Sequence, residues 1–251
     1  MNRPNRPSLS IVAPMLNEQG GVDEFISEVL RVCEGLSLSG FEILIVDDGS
    51  TDATPEMLRS WVERRPEIRV ITLSRNFGHQ AAITAGLFTA EGDAVVVMDA
   101  DLQDPPDVIP DMIDKWRAGA DVVYAVRRIR HGETWFKRAT AASFYRLLNR
   151  LSDVDIPTDT GDFRLMSRAV VDAIKSMPER DRYTRGMVSW AGFRQEPLYF
   201  DRPPRHWGTT KYPLGKQLRL GLAGVLGFSD KPLFLTIGFG LGAMVLAVLG
   251  L

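Results

Sequence analysis

Short apolar, β-branched runs recur along the first half of the chain: LSIVAP (Leu9 to Pro14), FEILIV (Phe41 to Val46), IRVITL (Ile68 to Leu73), AVVVM (Ala94 to Met98) and DVVYAV (Asp121 to Val126). They are mostly apolar at successive positions, the pattern of strands covered on both faces. Between them lies helical periodicity. Val22, Phe25, Ile26, Val29, Leu30 and Cys33 fall at i, i+3, i+4 and i+7 spacing, and Met57, Leu58, Trp61 and Val62 repeat the pattern. Repeated β-α-β units predict an α/β fold: an open, doubly wound, mostly parallel sheet with helices on both faces. Ligands of such sheets bind beyond the carboxyl ends of the strands.

Those strand ends carry the unusual residues. The first strand leads into PMLNEQGG, the second into DDGSTDAT, the third into SRNFGHQAA and the fourth into DADLQDPP. Neither G-x-x-x-x-G-K-[ST] nor G-x-G-x-x-G follows the first strand, so a glycine-rich phosphate cradle is not expected. Acid-rich ends point instead to a divalent cation bridging protein carboxylates to a phosphorylated ligand. Asp99 and Asp101, at i and i+2, can project to one side of an extended chain, and Gln103 adds a neutral oxygen. The alternative is a solvated turn capped by Asp104. At the second strand end, Asp47 and Asp48 can accept hydrogen bonds from a nucleobase or from ribose hydroxyls. Gly49 permits a tight turn, and Ser50, Thr51 or Asp52 can cap the next helix.

Composition narrows the partners. The net charge is −2 and the pI about 6.0, with no basic excess of the kind nucleic-acid binding needs. Cys33 is the only cysteine, which excludes an intrachain disulfide and a thiolate cluster; its place in the helical pattern makes it a core residue. The segment MNRPNRPSLS lacks the apolar stretch of a secretory signal, so the first folded element is expected in the cytosol.

The ordered set SIVAPMLNE, ILIVDDGSTDAT, SRNFGHQAAITAGL and VVVMDADLQDPP resembles the GT-A-fold, family 2 inverting glycosyltransferases. Within them it is similar to the polyprenyl-phosphate branch, which includes dolichol-phosphate mannose synthases and bactoprenol glucosyltransferases. The likeness continues through DVVYAVRRIR, FYRLLNRLSDVDIPTDTGDFRLMSR, RYTRGMVSWAGF, GTTKYPLGK and FSDKPL. The Q-x-x-R-W motif of processive synthases is absent from the sequence.

The resemblance implies transfer of one sugar from a nucleotide-sugar to a membrane polyprenyl phosphate, with Mg²⁺ or Mn²⁺. It assigns Pro14, Asn17, Glu18 and Asp48, beside Asp47, to the nucleoside, with Gly78 and Gln80 nearby. Asp99, Asp101 and Gln103 would hold metal and diphosphate. In PTDTGDFRL, Asp159 and Asp162 are the candidate catalytic acids, Asp162 at the position usually assigned as the base. A phosphomonoester with a second pKa near 6 arrives largely deprotonated, so orienting the acceptor or binding metal stays open for Asp162. NFGHQAAITAGL and DADLQDPP favour UDP-glucose. GDP-mannose, a soluble acceptor, or a non-catalytic nucleotide-sugar module are the alternatives.

The second half suits an anionic, greasy acceptor. Arg127, Arg128, Arg130, Lys137, Arg138, Arg146 and Arg150 face a single acid, Glu133, with Trp135, Phe136, Phe144 and Tyr145 interleaved. Basic residues attract anionic headgroups and aromatics settle at the interface; an ordinary amphipathic helix is the alternative. Arg127, directly after the fifth strand, can grip a phosphate bidentately, joined by Arg138 and by Arg205 and Lys211 of the Pro- and Gly-rich loop DRPPRHWGTTKY. Leu233 to Leu251 contains no charge over 19 residues, close to the ~20 of a transmembrane helix, a tail anchor or the first span of a longer chain; a buried core helix is the alternative. Lys211, Lys216, Arg219 and Lys231 before it place the large domain on the cytosolic face of the plasma (inner) membrane. The expected organisation is a catalytic domain over 1–212, a juxtamembrane amphipathic segment over 213–232 and a transmembrane helix over 233–251. Lipid bilayer is thus an expected partner, nucleic acid is not, and a homo-oligomer is compatible.

Overall fold

The computed structural model describes residues 3–127, 160–179, 182–201 and 231–250. The chain divides into two compact units, Met1–Arg130 with Asp159–Thr209, and His131–Thr158 with Thr210–Leu251. The first contains a seven-stranded mixed sheet. Its elements are β1 (Ser8–Met15), α1 (Val22–Glu34), β2 (Gly40–Asp47), α2 (Thr54–Arg64), β3 (Ile68–Thr72), α3 (His79–Thr89), β4 (Ala94–Val97), a 3₁₀ turn (Pro106–Val108), α4 (Ile109–Arg117), β5 (Val122–Arg127), β6 (Thr160–Ser167), α5 (Arg168–Ser176), α6 (Thr184–Trp190) and β7 (Gln195–Phe200).

The strand order is β3-β2-β1-β4-β6-β5-β7. β1 pairs in parallel with β2 and β4, β2 with β3, and β5 with β7; β6 runs antiparallel to both β4 and β5. The five expected strands form, and the sheet is mostly parallel. The β-α-β reading is corrected at one place: β5 does not pair with β4, because β6 inserts between them. That insertion matters for chemistry. An antiparallel strand brings its beginning to the edge where β1, β2, β4 and β5 end, so Asp162 arrives beside the strand-end acids.

Apolar residues on one face of the sheet, among them Ile11, Ala13, Ile43, Ile45, Val96, Phe163 and Leu165, pack with Phe25, Val29, Leu58, Met112 and Trp116 from α1, α2 and α4. All six periodic positions of α1 are buried, Cys33 included, and burial pushes its thiol up to about 12. In α2 the pattern is only partly used, since Val62 is 41% exposed. Val12, Leu44, Val46, Val95 and Val97 are buried on the other face. Helix α3 lies there against β1 and β2. Gly86 makes that approach feasible: a Cβ on it would stand 2.3 Å from Val12 Cγ1.

The second unit contributes α7 (Lys231–Val248), 18 residues and therefore about 27 Å long. Its described side chains are exposed throughout, Phe239 at 78% and Val248 at 81%. Among the described residues no helix is long and apolar enough to cross a membrane. The span expected over 233–251 thus corresponds to a shorter helix that opens with a charge and a proline.

Candidate functional site

The loops after β1 and β2 are stitched together by their own polar groups. Asn17 adopts φ 53°; its N–H donates to Ser50 Oγ at 2.9 Å, and its Oδ1 accepts from Thr51 N at 2.8 Å. Glu18 N donates to Thr54 Oγ1 at 2.9 Å, and Gln19 N to Asp52 Oδ2 at 3.2 Å. Asp52 also accepts from Thr54 N, a local turn contact; the N-cap of α2 is Ala53 with no side-chain cap, so the capping expected of Ser50, Thr51 or Asp52 does not form. Pro14 is buried within β1, paired with Val46, so its ring belongs to the sheet and not to an open surface.

Asp47 and Asp48 are 1% and 3% exposed. Asp47 Oδ1 accepts from Ser50 N at 2.9 Å, and its Oδ2 is buried with no hydrogen-bond partner among the described residues. Both oxygens of Asp48 are engaged: Oδ1 accepts from Phe77 N at 2.7 Å and Oδ2 from Gly78 N at 2.9 Å. Asp48 thus holds the loop before α3 with two of a carboxylate's roughly four lone-pair sites. Gly49 lets that loop come close, because a Cβ there would lie 2.6 Å from the Arg75 carbonyl carbon and its φ is +74°. Gly78 has φ +100° with open space where a Cβ would be.

The segment after β4 is a turn and not the extended chain whose alternation would align Asp99 with Asp101. Asp99, Asp101 and Gln103 are all partly exposed, while Ala100, Leu102 and Asp104 are buried. Leu102 has φ 53°, and Asp101 Oδ1 accepts from Gln103 N at 3.1 Å. Arg127, at the end of β5, reaches this turn from the side, its Nη2 3.8 Å from Asp104 Oδ1. Two partly exposed carboxylates and an amide within one turn form an oxygen-only donor set, which suits a hard divalent cation. Among the described residues no group of three or more His, Cys, Asp and Glu side chains is arranged to hold a metal ion. A cation here would thus rest on Asp99 and Asp101 with neutral oxygens completing its coordination.

Asp162 is the focus of the other half. Arg185 grips it as a fork, Nε to Oδ1 at 2.7 Å and Nη2 to Oδ2 at 3.1 Å. Oδ2 also meets His79 Nε2 at 3.1 Å and accepts from Gln80 Nε2 at 3.3 Å, and Gln80 Oε1 accepts from Thr184 N at 3.0 Å. His79 Nε2 lies 3.4 Å from Asp99 Oδ1 as well, so the imidazole bridges the two acids. Gln80, expected near the nucleoside, instead ties α3 to β6 and α6.

The electrostatics follow from that packing. Burial would raise the pKa of Asp162, but the Arg185 charge and the His79 hydrogen bond outweigh it and hold the carboxyl well below its usual range. Burial likewise opposes charge on His79, yet the Asp162 hydrogen bond and the Asp99 and Asp162 charges raise it to about 9. Asp99 goes the other way: burial pushes its pKa up, His79 opposes this, and Asp162 and Asp101 reinforce it. Beneath them Arg164, 4% exposed, donates to Gly161 O, and burial lowers its pKa to about 10.

A base needs a lone pair to receive the proton. Three donors already surround Asp162 Oδ2 and one engages Oδ1, against about four lone-pair sites on a carboxylate. The geometry thus favours the orienting role left open by the sequence. His79, Arg164 and Arg185 are the site residues that sequence reasoning missed. All three lie within the motifs that carry the family resemblance, but nothing in their spacing links them. Asp159, Arg138, Arg205 and Lys211 lie outside the described residues.

The family model for Glycosyl transferase family 2 matches residues 10–175. The chain is 50% identical over 224 residues to the uncharacterized glycosyltransferase YkcC of Bacillus subtilis (strain 168), covering 89% of this chain and 69% of that protein. It is 42% identical to the prophage bactoprenol glucosyl transferase homolog of Escherichia coli (strain K12), covering 90% and 73%. Among solved structures, glucosyl-3-phosphoglycerate synthase from Mycobacterium tuberculosis, in complex with Mn²⁺, UDP-glucose and phosphoglyceric acid, superposes with a TM-score of 0.62 at 19% identity, covering 89% of this chain and 81% of that one. That likeness concerns the fold.

Proposed function

The chain belongs to glycosyl transferase family 2, and from that premise we propose that it transfers glucose from UDP-glucose to a membrane polyprenyl phosphate with inversion at the anomeric carbon. One observation carries the reading: the D-x-D turn after β4 and the Asp162–Arg185 ion pair meet at one sheet edge, bridged by His79. The identity to a bactoprenol glucosyl transferase homolog supports the choice of sugar and acceptor.

The roles divide by position. Asp99, Asp101 and Gln103 would hold Mg²⁺ or Mn²⁺, which when bound supplies positive charge to stabilise the leaving diphosphate. Asn17 and Glu18 line the nucleoside side, with the buried Asp47 and Asp48 and with Gly78 shaping the loops that border it. The acceptor phosphate is largely dianionic at neutral pH and attacks without surrendering a proton. Asp162 therefore orients groups at the junction and leaves the proton inventory unchanged. Arg127, at the strand end beside the D-x-D turn, with Arg138, Arg205 and Lys211, is assigned to the acceptor phosphate. The exposed apolar side chains of α7 suit a lipid phase, which would hold the enzyme at the cytosolic face of the plasma membrane.

The test is direct. Purified protein is incubated in detergent with UDP-glucose, GDP-mannose and other donors, a polyprenyl phosphate, and Mg²⁺ or Mn²⁺. The expected product is a polyprenyl-phosphate glucoside from UDP-glucose alone. Preferential use of GDP-mannose would overturn the sugar assignment, and transfer only to soluble acceptors would overturn the lipid one.

A further inference from the structure

We propose that Arg185 is a positioning residue for the transfer reaction, acting through Asp162. The proposal deepens the functional reading above and rests on it. Arg185 stands in the first turn of α6, and its only side-chain hydrogen bonds among the described residues are the two to Asp162. A guanidinium fork fixes not just the charge of a carboxylate but its plane, which a single ammonium cannot do. With that plane fixed, Oδ2 is where His79 and Gln80 find it. His79 in turn sits 3.4 Å from Asp99. Arg185 thus bears on the D-x-D turn through a chain of contacts, without itself contacting Asp99 or Asp101 at hydrogen-bond distance.

The same network ties three elements at one carboxylate. His79 and Gln80 open α3, Thr184 and Arg185 open α6, and Asp162 lies on β6. Were the only purpose to anchor α6, an apolar pair would serve at least as well, because a buried ion pair often stabilises no more than hydrophobic packing of the same volume. An ion pair that also fixes an imidazole between two acids has a further use. It keeps the donor-side and acceptor-side acids in register, and small misplacements at such sites can cost roughly 10²-fold in rate.

The experiment is a double-mutant cycle on the full chain in detergent: Arg185→Lys, Asp162→Asn and the pair, with melting temperature, donor KM, kcat for transfer and the rate of donor hydrolysis by water. Arg185→Lys keeps the charge and loses the fork. The expected result is a melting temperature close to wild type, donor KM within about twofold, and kcat lower by roughly 10 to 100-fold. The double variant should be no more than about threefold slower than Asp162→Asn alone, because both substitutions break one unit. Multiplicative losses would show that Arg185 acts on substrate independently and overturn the proposal. A lower melting temperature with unchanged kcat would overturn it in favour of anchoring alone, and a raised donor KM with unchanged kcat in favour of a donor contact. Should Arg185→Lys fail to fold, Arg185→Gln takes its place in the cycle. If wild type proves to use a soluble acceptor, the functional reading fails while the cycle is scored on that transfer, so the two failures are distinguishable.

Discussion

The carboxylate of Asp48 accepts the backbone N–H of Gly78 at 2.9 Å across a separation of 30 residues, while its other oxygen accepts Phe77 N. One buried acid at the end of β2 thereby shapes the loop that launches α3 and so aims His79 and Gln80 at Asp162. An amide in its place could accept only one of the two N–H groups and would turn its own NH₂ toward the other. Asp48→Asn is accordingly expected to destabilise the fold by about 1 to 3 kcal/mol, the usual cost of leaving a buried donor unsatisfied. Donor KM should rise in parallel. Thermal melts and initial-rate kinetics check it, and an unchanged melting temperature would show that the loop is held by other contacts.

How much of this was visible in the chain depends on the range of the forces involved. The first five strands and α1 are legible because their burial is written in consecutive or periodic apolar residues. β6 is not, since TGDFRLMS places Asp162 and Arg164 at alternate positions where a covered strand normally has apolar side chains. Only its insertion between β4 and β5 explains them. The acids of the D-x-D turn stand out in the sequence, and the structure leaves Asp99, Asp101 and Gln103 partly exposed, but in a turn and not in the extended chain that their spacing assumed. The contacts of Asp162 to His79, Gln80 and Arg185 span 83, 82 and 23 residues, and no local pattern encodes such pairings. In sequence Asp48 looks like any strand-end acid, and the fold is what shows it engaged.

The D-x-D turn yields a metal-removal test. If Asp101 ligates the cation, Asp101→Ala takes away a hard anionic ligand that no neutral side chain replaces. Transfer should be lost, and nucleotide binding should no longer respond to added Mn²⁺, whereas wild type loses affinity when the ion is chelated. Titration calorimetry of UDP with and without Mn²⁺ reads this apart from turnover. Retained turnover at saturating metal would remove Asp101 from the ligand set.

Far from the site, Glu42 near the start of β2 sets an acid limit on stability. Burial alone would raise its pKa, but Ser10 Oγ at 2.6 Å, Glu91 N at 2.8 Å and Arg69 Nη1 at 2.6 Å hold it below the usual value. A depressed folded pKa means that the unfolded chain binds the proton first as pH falls. Its contribution is therefore complete above the unfolded pKa of about 4.3 and is lost as pH drops through the lower folded value. Glu42→Gln should flatten the stability profile across that window while leaving the transfer rate at neutral pH within about twofold of wild type. Denaturant melts at a series of pH values provide the measurement, and an unchanged acid slope would assign the loss to other carboxylates.

Arg127 tests the acceptor side. It ends β5, is partly exposed, and lies 3.8 Å from the buried Asp104 of the D-x-D turn. If it binds the acceptor phosphate, Arg127→Ala should weaken use of polyprenyl phosphate by roughly 10 to 150-fold, the equivalent of about 1.5 to 3 kcal/mol for a charge-assisted contact between desolvated groups. Hydrolysis of the donor by water needs no lipid and should survive within a few-fold. Arg127→Lys keeps the charge without the fork and should recover part of the loss if the phosphate is held as a point charge. Both activities are to be measured for each variant in the same detergent micelles. Selective loss of lipid transfer assigns Arg127 to the acceptor. Parallel loss of hydrolysis would move it to the donor diphosphate, because only a residue serving the donor is needed in both reactions.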